Sequence, residues 1–233
     1  MKYALSKTLA AAAGFCLIFG LLCTVICTCS VSRGFYYGEY EKLGVAEDIG
    51  ISSEELKEAT DVLLDYTEGR REDMVVYADI NGESRPVFNE RETLHMQDVR
   101  NLFLSARLAG YIALAAGAVV LALIFIFSRD RRGLFSGYLL GNWIFLGAVA
   151  LIAVYAALDF YSFWTNFHHV FFTNDLWLLD PATDNLILMV PQQFFSDLVF
   201  KIVAIFAACA AALAVLSGLA LRAAKKKRFK NAV

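Results

Sequence analysis

Four apolar runs, each near twenty residues, constrain this chain more than any other feature. They lie at 9–29, 108–127, 134–158 and 198–221. About twenty helical residues cross a hydrocarbon core. In lipid, the backbone must satisfy its own hydrogen bonds, so each run is expected to be a helix. The composition agrees: 58% of the 233 residues are hydrophobic, and the mean hydropathy is +0.54. A soluble domain of this length is less apolar. The first run follows Lys2 and Lys7, as a signal peptide would. It is long for a signal core, and it ends in CTVICTCS without a small-x-small cleavage site. Cys27 and Cys29 do not follow Gly, Ala or Ser, as a lipoprotein cysteine would. A retained helix is expected.

The basic residues orient the bundle. Lys2 and Lys7 precede the first run, Arg129, Arg131 and Arg132 join the second to the third, and Arg222, Lys225, Lys226, Lys227, Arg228 and Lys230 follow the fourth. These segments alternate with the others, so all three can be cytoplasmic at once. Of 23 acidic residues only Asp130 falls among them. The expectation is an α-helical membrane protein in the plasma membrane: a four-transmembrane-helix bundle, N-in and C-in, with a small α+β extracytoplasmic domain. Its parts are membrane helices at 9–29, 106–127, 134–158 and 198–221, an outer domain at 31–105, a cytoplasmic loop at 128–133, an outer aromatic segment at 159–197 and a basic tail at 222–233. Beside a membrane helix the tail suits the anionic inner leaflet better than nucleic acid.

Four of five cysteines lie in the first run and none lies in the outer segments, so no disulfide framework or Cys-based zinc site is expected outside. The outer domain opens with FYYGEY, aromatic in the manner of a membrane interface. SSEELKEATDVLLDYTEG predicts a helix, with a capping box from Ser52 to Glu55, a stripe of Leu56, Ala59, Leu63 and Leu64, and Gly69 at its end. MVVYADINGESRPVFNE predicts a hairpin, with strands at 75–80 and 85–88 around Asn81-Gly82. So thin a core is expected to lean on the membrane helices or lipid. Asn89 and Glu92 then cap a helix that meets no Gly or Pro before Gly110 and so can run into the second span. His95 shares a helical stripe with Val99, Leu102, Ala106 and Ala109, which points it towards the bundle. The plain alternative is a structural histidine bonded to a neighbour such as Asp98. Gly133, Gly137 and Gly141 recur every four residues, which suits close helix packing.

The second outer segment carries Phe160, Phe163, Trp164, Phe167 and Phe171 at helical spacing, as an amphipathic interfacial helix would. A polar strip of Asn166, His168 and His169 interrupts it; Asn174-Asp175 and DPATDN predict turns. No P-loop, dinucleotide-binding glycine pattern, HExxH or GxSxG is present. His168 and His169 are adjacent, so on a helix they point about 100° apart and do not readily share one metal ion. No charged residue sits in mid-helix to mark a transport path. What remains is proton transfer at an outer-leaflet interface, because histidine titrates near neutral pH. Counted from Leu102, His95 stands about 10 Å above the apolar run, at headgroup depth. Ring separations far beyond roughly 8 Å would exclude a histidine pair sharing one ester.

Two stretches carry a family resemblance. The first holds Phe88, Asn89, Glu90, Arg91, Glu92, Leu94, His95, Met96, Asp98 and Val99. The second holds Phe167, His168, Phe171, Phe172, Asn174, Asp175 and Trp177. With the arrangement of the four runs, they resemble a family of bacterial four-helix integral membrane proteins. That family includes the lipoprotein intramolecular transacylase of Gram-positive bacteria. The resemblance implies a diacylated lipoprotein substrate, within a membrane lipid environment. The sn-2 acyl chain of its diacylglyceryl group moves to the N-terminal cysteine α-amino group, leaving a lyso-form lipoprotein. It implies His95 and His168 as catalytic residues on the extracytoplasmic face, with acid and base roles unassigned, His169 as a bystander, and no cofactor or metal. Asn89, Arg91, Asp98, Asn174 and Asp175 become candidates for orienting the histidines or polarising the carbonyl, and Phe167, Phe171, Phe172 and Trp177 for lining the lipid site. The competing expectation is a non-catalytic membrane protein that binds lipid or lipoprotein, for which the aromatic belt and outer domain serve equally well.

Overall fold

The computed structural model describes residues 3–128 and 131–230, with side chains described within 4–128 and 132–215. The charged side chains at Lys2, Arg129, Asp130, Arg131 and 222–230, and the last three residues of the tail, lie outside what is described. The elements run α1 (Tyr3–Ser30), α2 (Arg33–Leu43), α3 (Val45–Ile49), α4 (Ser53–Thr67), β1 (Tyr77–Ile80), β2 (Glu83–Pro86), α5 (Glu90–Phe127), α6 (Arg131–Leu158), α7 (Phe160–Phe171), α8 (Asn185–Met189) and α9 (Gln192–Lys230). Four helices are long and apolar enough to cross a membrane, at Ala4–Ser30, Glu90–Phe127, Arg132–Leu158 and Gln192–Val215. Each outruns its apolar stretch. The 38 residues of α5 would measure about 57 Å against a hydrocarbon core of about 30 Å. Its first turns therefore stand clear of the span that starts at Leu108. The lower part of α5 turns large apolar side chains outward, among them Leu108, Ile112, Val119 and Leu123, as a lipid-facing helix does.

The bundle centres on α1. Glycine lets neighbouring helices approach it closely. A Cβ at Gly110 of α5 would lie 2.7 Å from Cys23 Cβ, and one at Gly14 would lie 2.5 Å from the Tyr138 carbonyl oxygen of α6. Gly137 and Gly141 press on the Lys7 and Ala11 carbonyls, the close packing expected of that glycine series. The contacts run antiparallel between α1 and α5 and parallel between α1 and α6, so the domain at 31–89 and the α6–α9 connection share one end of the bundle, called here the head.

At the head, α4 forms as predicted. Ser52 and Glu55 make a reciprocal capping box, the stripe from Leu56 to Leu64 is buried, and Gly69 closes the helix at φ +78°. Asn81 and Gly82, both at positive φ, make the hairpin turn with Ile80 opposite Glu83. The strands are shorter than the pattern implied and the second begins earlier. Val87, 1% exposed, and Phe88 leave the sheet to enter the core, and Val87 N–H donates to Val76 O at 2.9 Å. The FYYGEY stretch corrects a further expectation. It is not a surface belt but part of α2, with Tyr36 and Tyr40 buried around Phe194 of α9 at ring separations of 4.7 and 6.3 Å. Lys42 pairs with Asp197 at 2.5 Å beside this cluster. One core thus continues from α2, α3 and α4 through the hairpin to Phe194 and Leu198 of α9 and to Val25 and Ile18 of α1. The thin domain at the head does lean on the membrane helices.

Candidate active site

His95 is placed by the start of α5. Asn89 caps the helix: its side chain accepts from Glu92 N–H at 3.0 Å, and Glu92 Oε2 accepts from Asn89 N–H at 2.7 Å. Two turns in, His95 faces inward, 8% exposed. Further down its stripe Val99 packs on the core, but Ala109 is exposed, so the stripe points to the bundle only at its upper end. His168 comes from α7. The chain breaks after α6 at Asp159, whose side chain accepts from Ser162 N–H at 3.0 Å to start α7. The new helix buries part of its aromatic face and leaves Tyr161 and Val170 exposed. Its last turn presents His168, 7% exposed, inward, while His169 faces out.

The two inward rings meet. Their centroids are 6.1 Å apart and their planes differ by 31°, inside the separation that a shared ester requires. Phe172, itself buried, closes one side at 5.4 Å from His95 and 5.6 Å from His168. Trp177 stacks on His168 at 4.7 Å, Trp164 meets it edge-on at 4.9 Å, and Phe167 does so at 5.5 Å. Phe171 lies against Phe167 at 4.8 Å and is half exposed. His169 touches only the outer edge of this wall, 5.2 Å from Trp177.

Hydrogen bonding distinguishes the two rings. His168 Nδ1 lies 2.8 Å from the Trp164 carbonyl oxygen. A carbonyl only accepts, so Nδ1 carries the proton and Nε2 offers its lone pair. His95 Nδ1 is buried with no hydrogen-bond partner among the described residues. The plain reading of His95 as a histidine bonded to Asp98 does not hold, because Asp98 Oδ2 accepts instead from Asn174 Nδ2 at 2.8 Å. Burial, reinforced by His168, lowers the His95 pKa to about 4 against the pull of Asp98. Burial also lowers that of His168, although the Trp164 carbonyl opposes the shift. Both rings are therefore neutral at pH 7. The sign for stability follows. Between pH 6.5 and about 4 the unfolded chain holds a proton at His95 that the folded chain refuses, so the contribution is complete above pH 6.5 and lost as pH falls. It amounts to on the order of 3 kcal/mol at most. Thermal unfolding in detergent should show a drop between pH 7 and pH 5 that is smaller in His95→Asn.

The other candidate residues hold the site's cover rather than the rings. Segment 173–186 crosses the first turns of α5 as a strap. Asn174 binds Asp98, and its carbonyl accepts from Trp177 Nε1 at 3.0 Å. Arg91 donates to the Asp175 backbone carbonyl. Asn89 Nδ2 donates to Asp184 Oδ1 at 2.7 Å. Three members of this assembly escaped the sequence reading as site residues: Glu92, Asp184 and Asn185, all buried. Glu92 Oε1 accepts from Leu186 N–H, and Asn185 Nδ2 donates to Val87 O at 2.6 Å. Trp164 was missed too; its position four residues before His168 on one helix was the available signal. Among the described residues, no group of three His, Cys, Asp or Glu side chains converges as metal ligands.

Fold and site together define a class: a four-helix integral membrane protein whose head holds two neutral histidines against a wall of aromatic rings. The chain belongs to the lipoprotein intramolecular transacylase family, Lit, whose family model matches residues 11–195. The structure is similar to that of the membrane-integral transacylase Lit from Bacillus cereus. That match has a TM-score of 0.79 at 19% identity and covers 98% of this chain and 100% of the other. Two variants of the same protein, with one histidine replaced by alanine or by arginine, match with TM-scores of 0.75 at 20% identity. They cover 97% of this chain and 96% and 95% of theirs. At such identity the likeness is one of fold. No match was found among curated proteins.

Proposed function

We propose that His95 and His168 catalyse intramolecular O-to-N acyl transfer on a diacylglyceryl lipoprotein, on the extracytoplasmic face of the plasma membrane. Intramolecular transacylation of lipoproteins is the reaction of the family. The observation that carries the assignment is the pair itself, two buried, neutral rings 6.1 Å apart.

The amine of the N-terminal cysteine, with a pKa near 8, attacks only as the free base. It adds to the carbonyl carbon of the sn-2 ester. His168 Nε2, whose lone pair is left free by the Nδ1 bond to Trp164 O, takes the proton released by the attacking nitrogen. The ester C–O bond then breaks, and the glycerol oxygen leaves with the electron pair and must gain a proton. Burial disfavours imidazolium at either ring, so the proton is not retained. It passes by way of His95 to the leaving oxygen. One amine proton is lost, one hydroxyl proton gained, and both histidines return to neutrality. Because ester becomes amide, the step runs downhill without a cofactor. Amine and ester belong to one lipid-modified residue, so holding them in attack geometry contributes much of the acceleration. Phe167, Phe171, Phe172 and Trp177 line the acyl path. Asn89, Arg91, Asp98, Asn174 and Asp175 act at one remove by fixing the strap and with it Trp177. Orientation with the head outward follows from the basic residues at the other end.

The test is expression with a diacylated lipoprotein and mass spectrometry of its N-terminus. The expected product carries one acyl chain on nitrogen and one on glycerol. If the sn-2 chain stays on glycerol, the chain is not a transacylase, and a lipid- or lipoprotein-binding role takes its place.

A further inference from the structure

A recess lies away from the histidines. It opens between the head-side halves of α1 and α5, has a volume of about 270 Å³, and is lined among others by Cys23, Thr24, Cys27, Thr28, Arg107 and Tyr111. Arg107 lies twelve residues below His95, which is about 18 Å along α5 and about 120° around it. The site is therefore distinct from the one that holds the pair.

Arg107 immediately precedes the apolar run that begins at Leu108. An arginine at that depth ordinarily finds an anion or reaches for water. This one does neither fully. It is half buried, its guanidinium stands over the Phe103 ring at 5.6 Å, and its only hydrogen bond among the described residues is a long one of 3.4 Å to the Glu68 backbone oxygen. The nearby Glu68 carboxylate is already engaged by Arg70 and, at 3.8 Å, by Arg33. The Thr24 hydroxyl across the recess already donates to Gly20 O at 2.8 Å, but Thr28 and Tyr111 also line it, and a guanidinium at a membrane interface facing a recess of that size matches a phosphodiester. The recess admits a headgroup and leaves no room for acyl chains, which would leave past exposed Tyr111 into lipid.

We infer that this recess binds the phosphate of a membrane glycerophospholipid on Arg107. A diacylglyceryl lipoprotein has no phosphate at its lipid-bearing cysteine, so the bound lipid is not the substrate of the histidine pair. The inference needs only the membrane setting and stands or falls apart from the transfer reaction.

Native mass spectrometry of the full chain in detergent provides the test, with phosphatidylglycerol, diacylglycerol bearing the same acyl chains, and inorganic phosphate as probes. Phosphatidylglycerol should be retained. Arg107→Gln should weaken retention by about tenfold, the effect of losing one charged hydrogen-bonding partner. Arg107→Lys, which keeps the charge and controls for folding, should keep most of it. Equal retention of diacylglycerol, or of phosphatidylglycerol by Arg107→Gln, overturns the inference. Displacement of the lipid by inorganic phosphate assigns the site to the free ion and overturns its lipid identity.

Discussion

His95→Ala and His168→Ala should each abolish acyl transfer within the range of the assay, while His169→Ala leaves the rate within a few-fold of the parent. Positioned proton transfer is worth about 10²–10⁴-fold. On the proposed route the two rings serve one proton transfer, so either loss should cost nearly the whole effect. The three histidines differ in environment. His95 and His168 are buried and face each other across 6.1 Å; His169 is exposed at the edge of Trp177. Single-turnover appearance of N-acylated product, followed by mass spectrometry, is the measurement. Each variant needs a thermal unfolding midpoint alongside, because His168→Ala also removes the surface on which Trp177 stacks. Replacement by asparagine, which keeps a polar group of intermediate size, should restore stability without restoring rate. Equal loss in all three variants would count against the pairing.

The largest effect on stability is expected from Glu92→Ala. Glu92 is wholly buried, and its carboxylate oxygens accept from two backbone N–H groups far apart in sequence, those of Asn89 and Leu186. Alanine leaves both donors without this partner, the Leu186 N–H in a closed space and the Asn89 N–H nearer the surface. Each unsatisfied group costs about 1–3 kcal/mol, and the lost capping box is part of that cost. The sum is on the order of 3 kcal/mol, enough to lower the unfolding midpoint in detergent by many degrees. Glu92→Gln keeps one acceptor and should fall between the two. Activity should fall as well, through the cover: with the Leu186 tie gone, segment 173–186 is held less firmly, and Trp177 loses its register on His168. An Ala variant that unfolds with the parent would show that water replaces the carboxylate there.

Much of the architecture was legible without coordinates because its causes are local. Lipid requires about twenty apolar residues per helix, so four spans could be read from runs of one residue class. The caps at Ser52/Glu55 and Asn89/Glu92 and the Asn81-Gly82 turn follow from contacts within three residues. Boundaries were less legible. The start of α5 was legible from its Asn89/Glu92 cap, but α9 begins at Gln192, before its apolar run, since a helix that leaves the membrane into a packed head need not stop at the interface. The aromatic segments show the limit most clearly. FYYGEY and the α7 stretch have similar composition, and both suggested a membrane interface. Tyr36 and Tyr40 proved to be core because Phe194 arrives from a helix more than 150 residues later, which no local pattern records.

The candidate site divides along the same line. The amino-acid sequence by itself determined the membrane class, the inward face of His95 and the divergence of His168 from His169, since helical periodicity sets all three. The family motifs singled out His95 and His168 together. Only the tertiary structure decided that their rings stand 6.1 Å apart, that Asp98 serves Asn174 rather than His95, and that Glu92, Asp184 and Asn185 tie the cover to the start of α5 and to Val87 just before it. Those are contacts between segments some 70 to 100 residues apart. Their distances depend on how α1 sets the spacing of α5 and α6 and how the break at Asp159 aims α7. Burial, and through it the lowered pKa of each ring, arises only once that packing is complete.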